Sequence, residues 1–108
     1  MRRYEVMLIL PPDADDRAIG GVTDRIAQVL RERGGEVVRT DRWGKRRLAY
    51  EIKHLSEGFY LVVQFDAQPA AVKEVDRVLA LADEVVRHKI LVLPPGKEQE
   101  PERAAGAA

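Results

Sequence analysis

The chain has 108 residues, with 18 basic and 18 acidic side chains and no cysteine. That length holds one hydrophobic core, and the missing thiols exclude disulfides and thiolate metal sites. A net charge of zero argues against gripping nucleic acid by bulk charge, because phosphate binding draws its strength from the counterions that Lys and Arg release.

Arg2–Leu10 reads as a strand, with Tyr4, Val6, Leu8 and Leu10 on one face and Arg3, Glu5, Met7 and Ile9 on the other. Pro11-Pro12 stops it, and Asp13–Asp16 offers helix caps and first-turn acids. From about Asp15 to Arg33, Ile19, Val22, Ile26, Val29 and Leu30 recur at helical spacing. Gly20-Gly21 should loosen the first turns at about 1 kcal/mol each relative to alanine, and Gly34 is suited to a left-handed cap.

Glu36–Lys53 reads as a long strand, with Gly44 marking a bulge. His54–Gly58 reads as a polar turn and Phe59–Asp66 as the next strand. In it Phe59, Leu61, Val63 and Phe65 share the face expected to pack on helices, and Tyr60, Val62 and Gln64 share the other. Pro69–Leu81 is a second helix burying Val72, Val75, Val78 and Leu79, and Glu84–Leu93 a last strand.

The order is βαββαβ. Right-handed crossovers place strand three between strands one and two, and strand four beside strand one. The expected fold class is α+β: a ferredoxin-like, four-stranded antiparallel sheet of order 4-1-3-2 with two helices on one face. Residues 1–94 form this domain, and 95–108 a charged, alanine-rich tail unable to bury enough apolar area to order itself. From Leu93 onward the tail holds Lys97 and Arg103 against Glu98, Glu100 and Glu102, so the body carries 16 basic and 15 acidic residues. A nucleic-acid footprint must then be local.

The densest basic stretch is Arg42-Trp43-Gly44-Lys45-Arg46-Arg47. Lys and Arg suit phosphates, and an exposed indole offers a face to an unstacked base. The plainer reading is an edge strand that carries cations to prevent stray pairing. Arg2 and Arg3 on strand one and Arg87 and Lys89 on strand four are expected on connected surface, since those strands are neighbours. Met7, Ile9, Ala49, Tyr60 and Val62 make the open face mildly apolar, which suits a protein or RNA contact.

Four stretches together resemble the bacterial ribosomal small-subunit protein six family. They are Met1-Arg2-Arg3-Tyr4-Glu5-Val6, Trp43-Gly44-Lys45-Arg46-Arg47-Leu48-Ala49-Tyr50-Glu51-Ile52, Glu57-Gly58-Phe59-Tyr60 and Val85-Val86-Arg87-His88. The likeness runs from Met1 to about Leu93, and the tail departs from it. It implies a non-catalytic, cytoplasmic building block of the ribosome that binds the central domain of 16S ribosomal RNA as a heterodimer with small-subunit protein eighteen. It also implies RNA contacts at Arg2, Arg3, Lys45, Arg46 and Arg47, and more loosely at Arg87. A near-neutral chain suits such pairing, the partner completing the footprint.

Three rivals share the topology, one of them an acylphosphatase-like hydrolase, which would need an arginine cradle and an asparagine to position water. Glu57–Gln64 partly follows an RNA-recognition signature, but Phe59 and Leu61 fall on the core stripe, and a side chain cannot fill the core and stack on a base. A ligand-sensing module would ordinarily adjoin a catalytic domain. With no asparagine, one serine and two histidines, His54 and His88, the chain has little for a catalytic site. No metal, cofactor, small-molecule substrate or membrane contact is expected, the apolar runs being far too short to span a bilayer.

Overall fold

A computed structural model describes residues 1–94; the expected tail lies outside the described residues. Six elements follow one another: β1 (Arg2–Leu10), α1 (Asp16–Glu32), β2 (Glu36–Ile52), β3 (Leu55–Ala67), α2 (Pro69–Leu81) and β4 (Arg87–Val92). The sheet runs β2-β3-β1-β4, antiparallel throughout, which is the expected order read from the other edge.

Alternation along the two central strands sets the core. Val6, Leu8 and Leu10 of β1 and Leu61, Val63 and Phe65 of β3 are fully buried. Above them pack Ile19, Val22, Ile26 and Leu30 from α1 and Ala71, Val75 and Leu79 from α2. Val72 and Val78, expected inside, are only partly buried at the margin of α2. Each fully buried aliphatic side chain contributes about 1.5–3 kcal/mol, so this stripe carries most of the stability.

Helix α1 begins where its sequence signals: Asp15 is the N-cap and its carboxylate accepts from the Ala18 amide at 2.9 Å. The helix continues unbroken through Gly20-Gly21, because the buried residues on either side hold it. It ends on Gly34 at φ 85°, with the Gly35 amide donating to the Leu30 carbonyl at 2.7 Å, a left-handed cap.

The β2–β3 connection is tighter than the expected His54–Gly58 turn. Ile52 pairs with Leu55, leaving Lys53 and His54 as a two-residue turn at φ 52° and 68°. Both angles positive is the primed hairpin geometry that matches strand twist, so β3 starts four residues earlier than Phe59. Strand β4 is shorter than expected. A turn at Asp83 and Glu84 stands there instead, closed by the Val85 amide donating to the Ala82 carbonyl at 3.2 Å, with Val85 dropped into the core and the Val86 amide already donating to the Ile9 carbonyl at 2.8 Å.

Candidate nucleic-acid interface

Register decides where the expected site residues go. Arg2 lies opposite Ala67, at the end of β1 where β4 finishes, whereas Arg87 lies opposite Ile9 and Lys89 opposite Met7. Seven residue steps separate Arg2 from Ile9, about 24 Å in an extended strand. Arg2 and Arg3 therefore do not share connected surface with Arg87, contrary to expectation. Neighbouring strands that run antiparallel bring the start of one beside the end of the other.

Arg3 and Arg42 are also engaged. Arg3 forms a two-pronged ion pair with Asp66 across β1 and β3. Arg42, on the helix side of β2, pairs with Asp16 at the start of α1 at 2.7 Å. Lys45, Arg46, Arg47, Arg87 and Lys89 are exposed.

The first three sit on an arm. Beyond Leu10, which pairs with Phe59, β1 supplies no partner, and β2 and β3 run on as a two-stranded ribbon. Gly44, at φ 91° and beside a register shift between Arg42 and Gly44, is the expected bulge at the arm's root. By register Lys45 and Arg47 take one side of the ribbon and Arg46 the other. The cations thus surround a narrow ribbon and do not form a flat patch.

The open face has two halves. Towards the Arg3 end it is polar: Arg39 pairs with Asp41 at 3.0 Å, and the buried Gln64 amide donates to the buried Glu5 carboxylate at 3.4 Å, while Gln64 Oε1 is buried without a hydrogen-bond partner among the described residues. Towards the arm it is apolar. A groove of about 290 Å³ is lined by Met7, Ile9, Leu48, Ala49, Tyr50, Ile52 and Tyr60, with Arg87 and Lys89 along its side. Met7, Ile9 and Tyr60 are half-buried and Ala49 exposed, as a contact surface requires. Val62 is a correction: at 1% exposure it cannot face a partner. Its short side chain lies mid-sheet between its longer register partners, Met7 and Asp41.

Trp43 is half-buried and stacks on Tyr60 with ring centroids 6.5 Å apart and planes at 11°. One indole face is thereby taken within the protein. Leu48, Tyr50 and Ile52 were not assigned to the site from sequence, although their period-two spacing in the arm was visible. Among the described residues no group of His, Cys, Asp and Glu could hold a metal ion, and no helix is long and apolar enough to cross a membrane. His88 lies on the helix side, its Nε2 2.7 Å from Asp76 Oδ1.

The sequence model for ribosomal protein S6 matches residues 3–91. The chain belongs to the ribosomal protein S6 family. Small ribosomal subunit protein bS6 of Streptomyces griseus is 50% identical over 84% of this chain and 95% of its own. The bS6 protein of Saccharopolyspora erythraea is 44% identical over 100% of this chain and 93% of its own, so its likeness extends through the tail, beyond the Leu93 limit read from the sequence. The crystal structure of 30S ribosomal protein S6 from Thermotoga maritima superposes with a TM-score of 0.75 at 28% identity, covering 85% of this chain and 87% of that one. As an S6 protein the chain is a structural, non-enzymatic constituent of the small subunit of the cytoplasmic ribosome.

Proposed function

We propose that this S6 protein binds the central domain of 16S ribosomal RNA together with small-subunit protein eighteen. Lys45, Arg46 and Arg47 on the arm and Arg87 and Lys89 on β4 contact the sugar–phosphate backbone. Met7, Ile9, Ala49 and Tyr60 offer the partner an apolar seat. The observation that carries this reading is an apolar groove edged by exposed Arg87 and Lys89 of β4, next to an arm that bears exposed Lys45, Arg46 and Arg47. A body of 16 basic and 15 acidic residues gives no bulk attraction, so a footprint shared with a second protein explains how so neutral a chain holds RNA. Arg2 stands at the opposite end of β1, so any RNA contact it makes is a separate one.

A stand-alone RNA-recognition module is disfavoured because its stacking positions are spent on the core: Leu61 is fully buried, and Phe59 packs against the buried cluster.

Reversing Lys45, Arg46 and Arg47 to glutamate tests the reading. The far-ultraviolet circular dichroism spectrum should be unchanged, because all three are exposed. Filter binding to a central-domain transcript, with the partner protein present, should be lost. Retained binding would remove the arm from the interface.

A further inference from the structure

Tyr50 and Arg87 belong to opposite edges of the sheet, β2 and β4. A flat sheet would keep those edges three strand spacings apart, about 14 Å. Yet Arg87 Nη1 donates to the Tyr50 hydroxyl at 3.0 Å. The register explains how. Between the pairs Arg47–Glu57 and Ile52–Leu55, β2 has Leu48 to Glu51 where β3 has only Ser56. The surplus cannot stay in the ladder, so the strand buckles over the open face. Leu48 is buried there at 7% exposure, against Gly58. Gly58 allows the fit, since a Cβ at that position would stand 2.5 Å from Ile9 Cγ2.

We propose that Tyr50 is a positioning residue for RNA binding. Its hydroxyl clasps the Arg87 guanidinium and so sets the arm bearing Lys45, Arg46 and Arg47 against β4. Cations of the arm and of β4 then meet the nucleic-acid backbone in a preset arrangement. This rests on the reading that those cations bind RNA. Tyr50 itself adds no charge, and at 63% exposure it contributes little to the core. Losing its hydroxyl leaves the number of phosphate contacts unchanged but frees Arg87 and the arm, and the complex must then immobilise both.

The test compares the full chain with Tyr50→Phe, Arg87→Gln and the double variant. Each is assayed by filter binding to the central-domain transcript with the partner protein, across a salt series. Tyr50→Phe should weaken binding about fivefold, the worth of one net hydrogen bond, with melting temperature and log–log salt slope unchanged. Arg87→Gln should weaken binding and flatten the slope by about 0.7 to 0.9, one phosphate contact. Adding Tyr50→Phe to Arg87→Gln should cause no further loss, because the hydroxyl acts through the guanidinium. Wild-type affinity in Tyr50→Phe, or additive losses in the double variant, would overturn the clasp while leaving RNA binding intact. Binding that survives reversal of Lys45, Arg46 and Arg47 would instead bring down the underlying reading and the clasp with it.

Discussion

Leu8, fully buried in a central strand, shows how far a single position can be read. Its place in the Tyr4–Leu10 alternation is enough to assign its face. Leu8→Ala should destabilise the protein by roughly 2–5 kcal/mol in urea denaturation, the lost transfer energy plus the cavity left behind. A loss below about half a kcal/mol would fall short of the transfer energy alone and would mean that Leu8 does not face the core. Gly58→Ala acts the other way, by overfilling. Ile9 must yield to the new methyl group, at about 1–3 kcal/mol. Gly35→Ala should be worse than Gly58→Ala, since the atom met at 2.6 Å is the Asp66 carbonyl oxygen, which cannot rotate away. Other residues were opaque for a physical reason. The burial of Val62, the pairing of Arg3 with Asp66 and the pairing of Arg42 with Asp16 all depend on which distant residue sits opposite. Alternation gives a face, not a neighbour.

At the scale of elements, β1 and both helices were legible because apolar spacing, caps and prolines agreed. The β2–β3 hairpin was not. A turn closed by Lys53 and His54 at positive φ carries none of the Asn-Gly chemistry that signals a two-residue hairpin, so the sequence points to a longer turn, His54–Gly58. The same geometry yields a prediction. Left-handed backbone costs an ordinary residue about 1–2 kcal/mol, and both side chains are exposed. Lys53→Asn combined with His54→Gly should therefore raise stability by at least about 1 kcal/mol, seen as a later urea midpoint with an unchanged slope. The buckle over Leu48–Glu51 was equally hidden, since it follows from a mismatch in length between two strands whose register no local pattern records.

For the molecule as a whole, the crossover rule was enough to order the strands, but ordering them did not say which cations share an end. Antiparallel neighbours separated Arg2 and Arg3 from Arg87 and gave the arm its company instead. If about four of the exposed cations meet phosphates, the logarithm of the RNA affinity should fall with the logarithm of salt at a slope near −3. A flat response in the same filter assay would mean that the backbone is not what is recognised. The register also governs where the described body begins and finishes. The Leu93 amide donates to the Arg3 carbonyl at 2.8 Å, so these two ends lie together, about 14 Å along β1 from Met7 at the near end of the groove. A fluorophore or affinity handle joined ahead of Met1 would sit on the far rim. A molecule tethered there to a sensor chip would hold its cationic arm out towards the solution, ready for titration without obstruction.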